Sequence, residues 1–505
     1  MTRRRPDPLV THDADTEPAI SDPEITEAPA SSKAESIGDE FVTPTPQEMA
    51  ELVFARRRIG KRRRSEILRE LEIGSGVDAL GYNFHEAPSE LVGTQCVRRS
   101  FHALLALAAL ALFSGVLYRQ DRGGYALELW VTLPDIALVA CAARYGPSAF
   151  GRVQRFRATT LTTGGVLLVV GLAVSFVVHP SARGVFVLVR LLGAVGVADR
   201  LQRANRAEIR RAVQVLFCVA GFSIMFAVLQ HARGSALGLY ALGERAEPFF
   251  HFGDNLVPSA FLGHPYPLGG AALIASSLAV ALVLSGRLQA PWLYVAGALA
   301  GFSSVFSASR TNVLGLCLFA ATVIFGAARR APLRALLFAT VVAAAASAGY
   351  LANPHIWSTK SQAYKAEGDV SAGRVGLFKE NVAMVTRHLP FGVGPGRYNI
   401  ELKNDGITQN TGFAHPPQVV AMAALAEGGI PAGFALLIIG GSFVGLARRR
   451  RFAAFVPVAA LVAPLFSDHY MWSGAEGMAL VAIGFGVAMR LSREANVREL
   501  LPAAR

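Results

Sequence analysis

Apolar stretches, many of them about 18 residues long and nearly uncharged, recur along most of the chain between short polar segments. A helix of that length crosses roughly 30 Å of hydrocarbon, so each stretch predicts a membrane-spanning helix. The pattern predicts an all-α, polytopic membrane protein. About twelve spans are expected, at 101–118, 125–143, 159–178, 184–198, 212–230, 268–285, 291–306, 311–328, 333–351, 430–447, 452–467 and 475–490.

Composition agrees with this pattern. Only 17% of the 505 residues are charged, against roughly 25% in soluble proteins, and 52% are hydrophobic. Arginine clusters follow the second, fourth, eighth, tenth and last stretches, and Arg287 follows the sixth. Because positive charge concentrates in cytoplasmic loops, this spacing predicts that both termini are cytoplasmic.

The predicted organisation has five parts. Residues 1–97 form a cytoplasmic region, with a disordered acidic tail and a basic segment suited to anionic lipid headgroups. Residues 98–351 hold transmembrane helices 1–9, and residues 352–429 form a long extracytoplasmic loop with a short surface or re-entrant helix. Residues 430–490 hold helices 10–12, and 491–505 are a cytoplasmic tail. The arginine clusters between the apolar stretches, which set the orientation of the helices in the membrane, explain the net charge of +13. That charge therefore does not indicate a nucleic-acid partner.

The long loop contains HLPFGVGPGRY, from His388 to Tyr398, which is rich in glycine and proline and therefore predicts tight turns. Backbone N–H groups in such tight turns can hold phosphate oxygens, and Arg397 follows directly. A purely structural loop explains the same residues equally well. The segment is not a Walker A loop, because no Gly-Lys-Ser/Thr follows.

Several cations are predicted on the extracytoplasmic side or within the bundle. Arg310, Arg374 and Arg397 suit a diphosphate, since guanidinium groups bind its oxygens bidentately. Arg190 lies inside the fourth apolar stretch and is a further candidate for the diphosphate. A buried arginine needs a partner or a wet cavity, so a structural pair is the equal alternative. His415 is the candidate general base, because histidine exchanges protons near neutral pH.

Three other residues are candidates for a supporting role around this site: His264, Asp468 and His469. A turn at the start of a helix explains His264 at least as well, because Pro265 follows it. No spacing of Cys, His or carboxylate residues predicts a metal site, and no motif predicts a cofactor.

Between about residues 250 and 485, five stretches resemble, in the same order, those of the O-antigen ligase/polymerase superfamily of bacterial envelope proteins. They are GHPYPLGGAAL, SASRTNVLGL, GRVGLFKENVAMVTRHLPFGVGPGRY, AEGGIPAG and DHYMW. The resemblance implies a glycosyltransferase of the bacterial inner membrane. Such an enzyme transfers or polymerises a glycan from an undecaprenyl-diphosphate carrier on the extracytoplasmic face, to a glycan, lipid or protein acceptor.

The resemblance also implies roles for single residues. Arg310 and Arg374 would hold the diphosphate, and His415 would activate the acceptor hydroxyl. We expect an inverting, metal-independent reaction. A polymerase is favoured over a ligase, because nothing in the chain identifies a lipid A core acceptor.

The chain departs from the family's pattern near the candidate base. Gln418 stands where the family has histidine, so His415 lies further from Glu427 than expected. Ala432 replaces the last glycine of AEGGIPAG, and Phe378 stands where tryptophan is frequent. Two other classes therefore stay open. A transporter or flippase of the lipid-linked glycan would distribute charge through the depth of the bundle. An inactive scaffold of an envelope polysaccharide assembly complex would need no base.

Overall fold

The chain is helical through most of the part that the structure describes, apart from two short pairs of strands. The computed structural model describes residues 101–120, 129–244, 251–252, 255–262, 264–328, 331–359, 374–407, 419–448, 452–468 and 470–500. The predicted tail and basic segment at 1–97, the candidate base His415, and His469 lie outside these described residues.

The helices differ in length, and several begin with proline. In chain order they are α1 (Phe101–Leu110), α2 (Leu133–Gln154), α3 (Thr160–Val178), α4 (Ala182–Leu201), α5 (Arg206–Arg233), α6 (Pro265–Leu284), α7 (Pro291–Phe306), α8 (Arg310–Ala328), α9 (Pro332–Ala352), α10 (Arg374–His388), α11 (Tyr398–Asn404), α12 (Val420–Arg448), α13 (Phe452–Ser467), α14 (Tyr470–Ser473) and α15 (Ala475–Leu500). The strands are β1 (Val116–Gln120) with β2 (Leu129–Thr132), and β3 (His251–Phe252) with β4 (Asn255–Leu256), each pair antiparallel.

Among the described residues, seven helices are long and apolar enough to cross a membrane: α3, α5, α6, α8, α9, α12 and α15. Three more, α1, α7 and α13, are apolar but shorter. Each of the twelve predicted stretches overlaps one helix. The chain is therefore a membrane-embedded helical protein, whereas the count of twelve spans remains a prediction.

The first two predicted stretches, 101–118 and 125–143, have wrong boundaries. Helix α1 ends at Leu110, a β-hairpin follows, and α2 begins only at Leu133. A capping box explains the late start, since the N–H of Thr132 donates to Asp135 at 2.7 Å. Pro134 fits the first turn of α2, where a missing N–H costs nothing.

The last helix continues beyond its predicted span at 475–490. Helix α15 ends at Leu500, within the segment predicted as a cytoplasmic tail. Arg493, Glu494 and Ala495 are strong helix formers, so the local sequence favours this extension.

One end of the bundle gathers ion pairs around the buried carboxylates of Asp199 and Glu208. Asp199 in α4 accepts hydrogen bonds from Arg152 of α2 and, at 2.5 Å, from Arg203. Arg200 donates to Glu208 at the start of α5 at 2.6 Å. We call this the arginine end. These contacts place the C-termini of α2 and α4 beside the N-terminus of α5.

The opposite ends of the helices meet the segment 389–397, and we call this the loop end. Ser181, between α3 and α4, donates to the carbonyl of Pro395 at 3.4 Å. The hydroxyl of Tyr470 in α14 lies against Gly270 near the start of α6. Helix α6 is buried along almost its whole length, so it forms the centre of the bundle.

Helices α10 and α11 attach to the loop end through a small apolar cluster. Its members come from α10, the following loop, α11 and α12: Met384, Val385, Val393, Tyr398, Leu402 and Ala426. Burial of these side chains holds α10 and α11 against α12, because any other position would expose their apolar surface to water.

Helix α12 is interrupted where the sequence predicted a break near Pro431. Gly429 has φ 61° and ψ −152°, which is not helical and is disfavoured for any residue with a side chain. Pro431 has no N–H to continue the helical hydrogen bonds across this point. The two halves of α12 are therefore separate helices joined at Gly429.

We predict that Gly429→Ala destabilises the protein by at least about 2 kcal/mol, because of its positive φ and its surroundings. A Cβ there would lie 2.7 Å from the Leu389 carbonyl oxygen and from the Gly392 nitrogen. Gly441→Ala is the matched control, since a Cβ at Gly441 meets nothing within 4 Å and alanine favours helix. Thermal unfolding of the two purified variants decides, and equal melting temperatures would contradict the prediction.

Candidate functional site

The glycine-rich loop fits into the break of α12 through backbone hydrogen bonds. The N–H of Val393 donates to the carbonyl of Ala426 at 2.9 Å, and that of Gly394 donates to the carbonyl of Glu427 at 3.1 Å. In the other direction, the N–H of Ile430 donates to the carbonyl of Leu389 at 3.0 Å. The two irregular segments thus satisfy each other's polar groups.

Glycine is required for this close approach. Gly392, Gly394 and Gly396 have φ of 74°, 91° and 71°. A Cβ on Gly392 would lie 2.5 Å from the carbonyl oxygen of Glu427, which no side chain tolerates. The alternation of glycine in GVGPG therefore follows from the backbone path.

The loop does not present a row of unused N–H groups to a phosphate. Besides Val393 and Gly394, the N–H of Gly392 donates to the His388 carbonyl at 2.7 Å, and that of Arg397 donates to the Gly394 carbonyl at 3.2 Å. The structural interpretation of this loop, which the sequence left open, fits the geometry better than a phosphate cradle.

Glu427 is the main residue that sequence reasoning missed. It lies in the last turn before the break and is only 5% exposed. The indole Nε1 of Trp472 donates to its Oε2 at 3.1 Å, and Ser175 Oγ donates to its carbonyl at 2.6 Å. The N–H groups of Gly396 and Tyr398 also face the carboxylate. A carboxylate beside Gly428 and Gly429 in an apolar segment was the available signal.

Two arginines flank the glycine-rich loop. A Cβ on Gly396 would lie 2.8 Å from Cγ of Arg183, and a Cβ on Gly394 would lie 3.3 Å from Cδ of Arg397. Arg183, in the first turn of α4, was not singled out from the sequence, although it follows the third apolar stretch and so lies on the side that the arginine clusters avoid. Its charge acts on the carboxylate of Glu427.

Arg397 is already engaged within α11 and its preceding loop. Its Nη2 forms an ion pair with Glu401, one turn further along. Arg374, the first residue of α10, begins the helix that packs on α11, but its side chain is not among those described. The structure therefore places Arg397 beside the glycine-rich loop. It places Arg374 only by its backbone, at the start of α10.

Arg190 has the buried partner that a membrane arginine needs. Its Nε pairs with Asp135 of α2, and its Nη1 donates to the carbonyl of Ser473 at 3.3 Å. Asp135 also accepts from Thr132 Oγ1 at 2.8 Å. The alternative of a structural pair, held open from the sequence, fits this arrangement better than a role on substrate.

Helix α14 joins three parts of the loop end. Tyr470 lies against Gly270, Trp472 reaches Glu427, and the carbonyl of Ser473 accepts from Arg190. Burial raises the pKa of Tyr470 well above its ordinary value, so its hydroxyl stays protonated. Asp468, just before this helix, is 6% exposed. The segment DHYMW is thus a point of assembly for the bundle.

Arg310 and His264 lie at the starts of two neighbouring helices. Arg310 is the first residue of α8 and is partly exposed. Nδ1 of His264 accepts from the N–H of Tyr266 at 3.1 Å, which caps α6 as a turn at a helix start requires. Asn312 joins the two helices, since its Nδ2 donates to the Tyr266 carbonyl at 2.9 Å.

Within the described ranges, no three or more His, Cys, Asp or Glu side chains come together as metal ligands would. In comparisons with known proteins, no protein-family model and no curated protein matches the chain.

We predict that Glu427→Leu destabilises the protein by about 3 kcal/mol, because it leaves the donors around the carboxylate buried and unpaired. Glu427→Gln keeps an acceptor oxygen for Trp472 and should cost about 1 kcal/mol. Thermal unfolding, followed by tryptophan fluorescence, separates the two. If the leucine variant has the melting temperature of the wild type, the hydrogen bonds to this carboxylate do not stabilise the fold.

A second prediction concerns the buried ion pair. Asp135→Ala should cost about 3–5 kcal/mol, because it leaves Arg190 charged and without its carboxylate in the bundle. Adding Arg190→Leu removes the stranded charge, so the double variant should be more stable than the single one. Additive losses in this double-mutant cycle would show that the two side chains are not coupled.

Proposed function

We propose that the chain is a membrane glycosyltransferase of the O-antigen ligase/polymerase type. It would transfer or polymerise a glycan from an undecaprenyl-diphosphate carrier, on the extracytoplasmic face of a bacterial inner membrane with both termini cytoplasmic. One observation supports this most. The stretches that carry the resemblance are far apart in sequence, yet they touch one another at the loop end.

Three contacts make this point. HLPFGVGPGRY binds AEGGIPAG through Gly394 and the Glu427 carbonyl. AEGGIPAG binds DHYMW through Glu427 and Trp472. DHYMW meets GHPYPLGG where Tyr470 lies against Gly270. A set of motifs that assembles in one place is what a shared active site requires, although a shared fold requires it too.

In the proposed reaction, an acceptor hydroxyl attacks the anomeric carbon of the lipid-linked glycan. A glycosidic C–O bond forms with inversion, and the bond from that carbon to the diphosphate oxygen breaks. His415 takes the proton from the hydroxyl. Arg310 and Arg374 hold the diphosphate and offset the charge that grows on the leaving oxygen, while Arg183 and Arg397 lie beside the glycine-rich loop.

A transporter or flippase of the same lipid-linked glycan is the second candidate. The observation that favours it is the Asp135–Arg190 pair within the helices, because buried charges in membrane bundles often mark pathways. Glu476 lies near enough for its charge to interact with both residues. An inactive scaffold is the third, and it predicts no dependence on any of these side chains.

We predict that deleting the gene removes long envelope glycans, and that the wild-type gene restores them. Arg310→Ala, Arg374→Ala and His415→Ala should each fail to restore them, because the diphosphate or the base is lost. Lys403→Ala, an exposed lysine of α11, is the control and should restore them. Gel electrophoresis of envelope glycans provides the measurement.

The products distinguish the alternatives. Single repeat units indicate a lost polymerase, and long chains left on the lipid carrier indicate a lost ligase. Lipid-linked units confined to the cytoplasmic leaflet indicate a flippase. Normal glycans from all three variants would exclude the enzyme and leave the scaffold.

A further inference from the structure

Four buried polar atoms at the junction of α10 and α11 have no hydrogen-bond partner in the described part of the chain. They are Oε2 of Glu380, Nδ2 of Asn381, Nε of Arg397 and Oδ1 of Asn399. Two of them are acceptors and two are donors. Because buried polar atoms in folded proteins are nearly always paired, four in one short region call for an explanation. We name these four residues the polar junction.

Tyr398 ties the polar junction together. Its hydroxyl donates to Oδ1 of Asn381, so Nδ2 of the same amide remains for another partner. Burial raises the pKa of Tyr398, and the nearby charges of Glu380 and Glu427 add to the effect. The hydroxyl therefore stays protonated and fixes the orientation of the Asn381 amide.

The two asparagines at the junction are buried. Asn381 is 2% exposed and Asn399 is 8% exposed, so bulk solvent does not reach their unpaired amide atoms. The Nη2 of Arg397 is fixed on Glu401, which leaves its Nε in the interior. A buried polar group without a partner is unfavourable, so a molecule that hydrogen-bonds to it is bound favourably.

The mixture of groups selects the ligand chemistry. Phosphate oxygens accept hydrogen bonds but do not donate, and a phosphate would be repelled by the carboxylate of Glu380. Each hydroxyl of a sugar both donates and accepts, so sugar hydroxyls can pair with both the two donors and the two acceptors. We propose that the polar junction binds hydroxyl groups of a sugar, at or next to the glycan of the lipid-linked substrate. This proposal rests on the proposed function.

Ordered water is the competing explanation, since water also donates and accepts. The two differ in the ligand-free protein. If water already satisfies Asn399, then Asn399→Leu removes good hydrogen bonds and lowers the melting temperature. If Oδ1 is paired only when a sugar is bound, the same change removes an unpaired group and leaves the melting temperature unchanged or higher.

Binding is measured on the full-length protein in lipid nanodiscs. The probes are undecaprenyl diphosphate and four derivatives that carry glucose, galactose, N-acetylglucosamine or N-acetylgalactosamine. We expect the wild type to bind at least one sugar-bearing lipid about tenfold more tightly than the sugar-free lipid. Asn399→Leu should remove this preference. Asn381→Asp should remove it too, because it keeps the oxygen that accepts from Tyr398 but replaces the unpaired donor.

Lys403→Leu is the control, since it changes an exposed side chain of the same short helix, and it should keep the preference. Equal affinity of the wild type for all five lipids would overturn the sugar site, while lipid diphosphate binding would still stand. If the wild type binds none of the five lipids, the proposed function fails and the sugar site fails with it. A lowered melting temperature of Asn399→Leu with an intact sugar preference would assign Asn399 to water instead.

Discussion

The fit of the glycine-rich loop into the break of α12 is the constraint on which the loop end depends. A helix that stops inside an apolar segment leaves carbonyl groups that lipid cannot satisfy. Here the carbonyls of Ala426 and Glu427 receive the N–H groups of Val393 and Gly394, and Ser175 adds a hydroxyl to the second. Both segments are irregular, and each is stable only because the other supplies its hydrogen bonds.

Glu427 extends this constraint to the rest of the bundle. Its backbone belongs to the break, whereas its carboxylate accepts from Trp472 in α14. Helix α14 in turn meets α6 through Tyr470 and α4 through the carbonyl that accepts from Arg190. A buried carboxylate is costly unless several donors surround it, and the donors here come from different parts of the chain. Its position thus fixes those parts relative to one another.

Much of this fold could be predicted from the sequence. The apolar periodicity located a helix at each predicted stretch, and Gly429 with Pro431 marked the break in α12. The error near Leu110 arose because an apolar run does not reveal a hairpin, and because the capping box of Thr132 and Asp135 that starts α2 was not noticed. The pairing of Asp135 with Arg190 lies across the bundle and could not be predicted from neighbouring residues. Neighbouring residues thus predict the local structure well, but they do not predict which partner a buried charged side chain will have.

The candidate site was harder to predict, for a related reason. Sequence reasoning chose cations and histidines by residue type, and it left the pairing of Arg190 and the capping role of His264 open as alternatives. Both alternatives agree with the contacts that these side chains make. Glu427 and Arg183 were missed because their meaning lies in contacts across the fold: Ser175 and Glu427 are 252 residues apart. Asn381 and Asn399 carry no motif, and only their burial without partners distinguishes them.

The long separation between these partners has a consequence for biosynthesis. A ribosome that has inserted α1 to α9 has already made both halves of the Asp135–Arg190 pair, which are 55 residues apart. The carbonyl of Ser473, to which Arg190 also donates, is 283 residues downstream of it. A nascent chain that ends after α9 thus contains this pair but none of the contacts at the glycine-rich loop, because residues 389–397 are not yet made. Those contacts form only after both the segment 389–397 and Glu427 have been synthesised.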